Sequence, residues 1–261
     1  MNVTKNLRRR FWEVADFFFP NPCLACGEPI SDNSGRMGLC RSCHSKLAPS
    51  PSPACAGCGR ALQAALLPKD YVCGECRRED RAYGRLLAAW NYQKPIDEIL
   101  RALKYRRLDY LGPLLAAALT ERFHRELSEV ELVVPVPLHW RRRLQRGYNQ
   151  AEVIARPVAK QLSIPLCQAL ARRKATSPQT GLPRAERKKN LAGVFRPAKP
   201  ATIDGRRVLL VDDVFTTGAT LGAAAAALRE SGAQVVYALT VARTPREEPS
   251  LDPGSKLDGC S

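Results

Sequence analysis

No run of eighteen apolar residues occurs in the 261-residue chain, although 45% of it is hydrophobic. A membrane-spanning helix is therefore not expected, whereas a packed core is. An export signal is not expected either. The start, MNVTKNLRRRFWEVADFFFP, is basic, but its apolar part is short, carries Glu13 and Asp16, and leads to no small-residue cleavage site. Leu7, Phe11, Val14 and Phe18 instead share one face of an amphipathic helix. Without export a disulfide framework is not expected, and the compartment read from the sequence is the reducing cytoplasm. Acids are scarce in one stretch. Between His139 and Asn190 thirteen Lys and Arg face only Glu152 and Glu186, a local charge of +11 in a chain of net charge +16. A field of one sign suits a polyanion such as phosphate, pyrophosphate or single-stranded nucleic acid, and equally suits a solubilising surface.

What the chain has in abundance is paired cysteine. Eight of its ten cysteines form four CxxC pairs, Cys23/Cys26, Cys40/Cys43, Cys55/Cys58 and Cys73/Cys76, while Cys167 and Cys260 stand alone. Two thiolates at i and i+3 on a tight turn grip one metal ion, and two such turns complete a tetrahedron around zinc. Spacers of thirteen residues (27–39) and fourteen (59–72) lie close to the zinc-ribbon template, and Gly27, Gly57 and Gly59 lie at the turns. Redox dithiols rarely come in fours, and iron–sulfur ligation uses other spacings. Two structural zinc ions are expected. They are held by consecutive pairs if the two similar units fold separately, and by alternate pairs if the units interleave. A module this small lacks a sufficient core, so the metal itself would hold it together.

Beyond the cysteines the chain alternates. Ile96–Arg106 and Leu111–Leu127 read as helices, Leu132–Val136 as a buried strand, and Asn149–Gln161 as a helix. Residues 171–190 have no periodicity and many charges, which reads as a long loop. Val208–Val211 and Val235–Val241 read as strands on either side of an alanine-rich helix, Thr220–Glu230. Strands alternating with helices imply a mostly parallel sheet covered on both faces. The divisions are a cysteine-rich module over 1–80, an α/β domain over 81–243, and a polar tail over 244–261 that is expected to be disordered.

In Val208–Leu221, VLLVDDVFTTGATL, an apolar strand runs into two acids, then a hydroxyl-rich turn with one glycine, then a helix. Such sheets bind ligands at the carboxyl ends of their strands. Thr216, Thr217, Gly218, Ala219 and Thr220 offer N–H groups and hydroxyls at a helix N-terminus, which suits a phosphate dianion. Asp212 and Asp213 sit where two adjacent ribose hydroxyls would need acceptors. No lysine follows the glycine, so this is not a Walker-type loop. A lone acid pair would be no more than a helix cap. The turn is expected to lie outside the core.

This string is similar to the phosphoribosyl-pyrophosphate signature of type I phosphoribosyltransferases. The arrangement as a whole resembles the ComF family of competence proteins and their relatives. The resemblance runs from FFFPNPCLACG through the cysteine units, LRALKYRRLDYLG, VPVPLHWRRRLQRGYNQAEVIA and ATSPQTGLPRAERKKNLAGVF to the cradle, leaving out only the tail. It implies an α/β, type I phosphoribosyltransferase fold, a mostly parallel sheet flanked by helices, with an N-terminal double zinc-ribbon module. It implies 5-phosphoribosyl 1-pyrophosphate as ligand, accompanied by Mg²⁺, with Asp212 and Asp213 as catalytic residues and 216–220 as the 5-phosphate loop. Arg141, Arg146 and Asn149 become pyrophosphate candidates, alongside Gly147 and Gln150 of the RGYNQ element. Gln179, Arg187 and Asn190 match positions of a flexible loop that closes over the substrate. A helix cap for Asn149 and solvated charges for Arg142 and Arg143 are the plainer alternatives. Met1-Asn2 leaves no N-terminal cysteine nucleophile, so glutamine hydrolysis is not expected.

Three functions follow. The first is transfer of the phosphoribosyl group to an acceptor the sequence does not identify. The second is handling of single-stranded DNA with the DNA-uptake machinery, an implication of the resemblance. Trp140 and Tyr148, set among arginines, suit base stacking for that role, although packing is the plainer reading, more so for Trp140. The third is regulation, with the ribosyl pyrophosphate sensed but not consumed.

Overall fold

The structure, a computed structural model, describes residues 22–30, 36–63, 67–79, 81–172 and 193–245. The expected N-terminal helix, most of the 171–190 loop with Gln179, Arg187 and Asn190, and the tail from residue 246 on with Cys260 lie outside the described residues.

The two cysteine units fold as separate copies of one motif. In the first, the Cys23 N–H donates to Glu28 O (2.8 Å) and the Gly27 N–H to Cys23 O (2.9 Å); in the second, the Cys55 N–H donates to Arg60 O (2.9 Å) and the Gly59 N–H to Cys55 O (2.7 Å). Each copy ends in a short helix capped by its third cysteine: α1 (Arg41–Ser45) behind Cys40 and α2 (Gly74–Arg77) behind Cys73.

The sheet that follows has four parallel strands, β1 (Arg85–Asn91), β2 (Leu132–Pro135), β5 (Arg207–Phe215) and β6 (Val235–Arg243), in the order β1-β6-β5-β2. A separate antiparallel pair joins β3 (Leu170–Arg172) and β4 (Phe195–Pro197), with Arg172 opposite Phe195. Alternate side chains of the sheet enter two apolar clusters. Leu87, Val133, Leu209 and Leu239 meet helices α3 (Ile96–Tyr105), α4 (Leu111–Arg122) and α7 (Gln150–Leu162). Leu86, Leu132, Leu210 and Ala238 meet α8 (Ala219–Glu230). Two short helices, α5 (His124–Leu127) and α6 (Trp140–Arg146), lie between these elements in sequence.

The cysteine units straddle the β1 edge of this sheet. Cys23, Met37, Leu39 and Cys43 are buried with the α3/α4/α7 cluster, and Cys55, Cys58 and Cys76 with the α8 cluster. The chain between them runs antiparallel to β1, with the Asn91 N–H donating to Ala48 O and the Ser50 N–H to Ala89 O, both at 2.9 Å. An edge that would otherwise expose unpaired backbone groups is thereby closed. At the far edge the pairing is parallel: the Val133 N–H donates to Pro165 O (3.0 Å) and Val133 O accepts from the Cys167 N–H (2.9 Å).

Several expectations need adjustment. β1 was not foreseen as a strand; it is buried on both faces, so its LAAW core shows no alternation. The helix expected over 111–127 breaks at Phe123 (φ −113°, ψ 23°), and β5 and β6 run beyond their apolar stretches.

Gly112 sits where α4 crosses α7. A Cβ there would lie 2.5 Å from both Val153 Cγ1 and the Val153 carbonyl oxygen. Backbone cannot yield as a side-chain tip can, so Gly112→Ala should push the helices apart and destabilise the protein by about 2–3 kcal/mol. A thermal melt checks this; a parental midpoint would contradict the close approach.

Candidate functional site

Within each cysteine unit the four sulfur atoms lie within 4.8 Å of one another, Cys23, Cys26, Cys40 and Cys43 in one and Cys55, Cys58, Cys73 and Cys76 in the other. Consecutive pairs therefore share each site. Cys26 and Cys40 Sγ are 3.8 Å apart and Cys58 and Cys73 Sγ 3.9 Å. A tetrahedron of Zn–S bonds of about 2.3 Å requires sulfur separations of about 3.8 Å. Backbone N–H groups also point at the sulfurs, Cys40 N–H at Cys23 (3.3 Å) and Cys73 N–H at Cys55 (3.2 Å), as thiolate ligands favour. All four positions of each site are protein sulfur, a closed set that fits structural zinc.

A second site opens at the carboxyl end of the sheet. It is a cleft of about 770 Å³. Strand β5 carries Asp212 and Asp213 to its edge, where both are half-buried. Asp212 Oδ1 accepts from the Asp213 N–H at 2.8 Å. Asp213 Oδ2 pairs with Lys104 Nζ at 2.7 Å, reaching across from the end of α3. Burial and the neighbouring Asp213 charge push the Asp212 carboxyl up to about 7, against the opposing pull of Lys104 and Arg172. Burial works against the Lys104 charge, but the Asp213 carboxylate outweighs it, and the ammonium is held above its usual range.

After β5 the chain turns at Gly218, which has φ +82° and precedes α8. The Thr217 hydroxyl accepts from the Ala219 N–H at 3.4 Å, and the other N–H groups of the first helical turn have no partner within the helix. Thr216 and Thr220 line the cleft. A Cβ on Gly218 would lie 2.7 Å from the ring of Phe215, a fully buried core residue. The turn is thus seated on the core, not outside it as the sequence suggested, and a side chain at 218 would disturb folding as well as any ligand.

The opposite wall is basic. Helix α6 is capped by His139, whose Nδ1 accepts from the Arg141 N–H at 3.3 Å. Burial, then the Arg172, Arg141 and Arg142 charges, lower the His139 pKa, which favours the neutral ring that can accept. At helical spacing Arg142, Gln145 and Arg146 line the cleft. Arg141 does not; its guanidinium lies 5.3 Å over the Trp140 ring. Trp140 is 57% exposed, so the packing expected for it is absent, whereas Tyr148 is half-buried and its hydroxyl donates to Leu103 O. Asn149 caps α7, its Oδ1 accepting from the Ala151 N–H (3.3 Å) and its Nδ2 donating to Val136 O (2.9 Å).

Lys104, Arg142 and Arg172 also line the cleft, although the sequence assigns none of them a ligand role, and Gln150 of the RGYNQ element joins them. Gln150 is 2% exposed; its Oε1 accepts from Arg146 at 3.0 Å, which orients the amide and leaves Nε2 without a partner among the described residues. A buried donor in that state calls for an acceptor from the cleft. For Lys104 a signal existed, since it continues the buried Ile96–Leu100 stripe at the next i+4 step.

Against this geometry stand the known proteins the chain resembles. Residues 149–255 match the phosphoribosyl transferase domain family and residues 14–77 the double zinc ribbon domain family. The DNA utilization protein YhgH of Escherichia coli K12 is 32% identical over 234 residues, covering 86% of this chain and 98% of that protein. Competence protein F of Haemophilus influenzae is 30% identical over 236 residues, covering 87% and 98%. Competence protein ComFC of Bacillus subtilis is 27% identical over 234 residues, covering 85% and 95%.

The raised Asp212 pKa has a consequence for stability. The folded protein holds this proton more tightly than the unfolded chain, so stability present at low pH is lost as pH rises from the ordinary carboxyl range through about 7. Asp212→Asn keeps an oxygen for the Asp213 N–H and removes the charge. Since the side chain is partly exposed, the gain near pH 8 should be only about 1–2 kcal/mol, vanishing near pH 4. Melting curves at both pH values check this; an Asn variant no more stable than the parent near pH 8 would contradict it.

Proposed function

We propose a function on the premise that this chain belongs to the ComF family of competence and DNA-utilization proteins, built from a double zinc ribbon and a phosphoribosyltransferase domain. On this reading the cleft binds 5-phosphoribosyl 1-pyrophosphate and transfers its phosphoribosyl group to an acceptor. The observation that carries it is the meeting of Asp212, Asp213 and the Gly218 turn with Arg142, Arg146 and Arg172 in one cleft.

The N–H groups of the 216–220 turn and the start of α8 would hold the 5-phosphate. Asp212 and Asp213 would accept hydrogen bonds from the two ribose hydroxyls. Arg142, Arg146, Arg172 and the Gln150 amide would hold the pyrophosphate. Two bare carboxylates would repel such an anion; Lys104 neutralises one of them and the proton affinity of Asp212 moderates the other. The C1–O bond breaks with its electron pair leaving on pyrophosphate, while the acceptor adds to C1 and gives up its proton. The residues contribute position and a fixed field around an oxocarbenium-like state. The carboxylates are the hard oxygen ligands that fit the Mg²⁺ expected to accompany the pyrophosphate, which would supply charge neutralisation. A cytoplasmic location, where the thiolates stay reduced, completes the reading.

Calorimetry and a pyrophosphate assay test it. Asp212→Ala and Asp213→Ala should each weaken binding of the ribosyl pyrophosphate about 10- to 100-fold, the loss of a charge-assisted hydrogen bond. A parent that does not bind, or a double variant that binds equally well, would sink the proposal. Pyrophosphate released in the presence of a nucleobase panel marks an enzyme; tight binding without release marks a sensor.

A second reading is contact with single-stranded DNA, as the names of the relatives suggest. Its structural support is the outer face of α6, where Trp140 is 57% and Leu144 73% exposed beside Arg141 and Arg143. Affinity for an unstructured oligonucleotide should fall at least tenfold between about 50 and 200 mM salt, and Trp140→Ala should weaken it further. Binding indifferent to both would remove this reading.

A further inference from the structure

The two cysteine sites are alike in themselves but not in what they touch. In the second, Gly57 lies between Cys55 and Cys58, and its carbonyl oxygen accepts from the Tyr83 hydroxyl (2.9 Å) and from Arg81 Nη1 (2.6 Å). Arg81 also donates to the Tyr83 oxygen and, through Nη2, to Glu79 at 2.8 Å. The position of Gly57 is set by the fourth cysteine: a Cβ there would lie 3.0 Å from Cys76 Cβ and 3.1 Å from its sulfur. The carbonyl direction is thus fixed by the backbone wrapped around the sulfur cluster.

Tyr83 carries that position to the cleft. It is only 3% exposed, and its hydroxyl oxygen would be 3.2 Å from a Cβ on Gly218. The oxygen that bonds the cysteine knuckle is the same atom that lies under the pivot of the 216–220 turn. A second strut runs alongside. Arg243 Nε donates to Cys58 O at 3.3 Å, and the next residue, Thr244, lines the cleft while its N–H holds Phe215 O at 2.8 Å. Phe215 is the ring on which Gly218 sits. The first site shows no such link among the described residues. Its Cys23 and Cys43 are buried with Leu39 and Leu111 in the cluster on the other face of the sheet.

We propose that metal held by Cys55, Cys58, Cys73 and Cys76 sets the shape of the 216–220 turn through Gly57 and Tyr83, making Tyr83 a positioning residue for phosphate and the second site a determinant of ligand affinity. This rests on the reading of that turn as the 5-phosphate site. The first site, in contrast, closes the fold without reaching the cleft. Loss of metal from the second site would free the Gly57 carbonyl, release the Tyr83 hydroxyl, and leave the turn to sample other geometries before any ligand arrives. The affinity cost is then one of lost pre-organisation.

The test uses the full chain and three measurements on Tyr83→Phe: zinc content, thermal midpoint, and calorimetry with ribose 5-phosphate and with inorganic pyrophosphate separately. The ring stays and only the tether is lost. Zinc content should match the parent, ribose 5-phosphate should bind about three- to tenfold more weakly, and pyrophosphate should bind as before. A variant merely less stable would lose both ligands together. Should Tyr83→Phe fail to fold, Arg81→Gln, which loosens the same carbonyl, must show the same selective loss. Parental affinity for ribose 5-phosphate in either folded variant, or an equal loss for both ligands, overturns the proposal. A parent that does not bind ribose 5-phosphate at all overturns the phosphate reading itself, and the coupling with it, a result visible before any variant is compared.

Discussion

Two adjacent carboxylates at the end of a buried strand are costly unless something answers their charge. Here the answer is Lys104, 2.7 Å from Asp213. The ion pair ties the last turn of α3 to the carboxyl end of β5, and with that one tie the floor of the cleft is set. Among the described residues Asp212 has no ion pair of that kind, and burial beside the Asp213 charge raises its proton affinity. The acid wall therefore carries less negative charge than its sequence suggests, and a polyanion can approach from the arginine side without meeting two full carboxylate charges.

The cysteine units solve a different problem at the other end of the sheet. Each is too small to fold on an apolar core, yet each contributes buried sulfur to one of the two clusters that cover the sheet. With the strand-like link over Ala48–Ser50, they close the β1 edge from both faces and along its length. The metal sites are consequently part of the core, and the one nearer α8 reaches the Gly218 turn through a single tyrosine.

Most of this plan was legible. Four CxxC pairs named their own chemistry, because sulfur at i and i+3 does little else four times over. The strand–acid–turn–helix string was legible because each part has a separate physical job. What escaped has a physical reason in each case. Strand β1 lacks alternation because both of its faces are covered. Lys104 looked like one more helical lysine, since its partner lies 109 positions away on β5 and only folding joins them. Among the arginines of α6, composition could not give the phase: the helix begins at Trp140, which turns Arg142 and Arg146 to the cleft and leaves Arg141 on the Trp140 ring. The 216–220 string shows a glycine among hydroxyls but not the Phe215 ring beneath Gly218, a contact no local sequence reports.

The central claim is that the acid pair and the Gly218 turn together receive a phosphorylated ribose. A crystal structure of the protein soaked with 5-phosphoribosyl 1-pyrophosphate and Mg²⁺ tests it most directly. The ribose hydroxyls are expected within hydrogen-bond distance of Asp212 and Asp213, the 5-phosphate on the backbone of residues 216–220, and the pyrophosphate beside Arg142, Arg146 and Gln150. Ligand density elsewhere on the molecule, with the cleft empty and Lys104 still paired to Asp213, would contradict it.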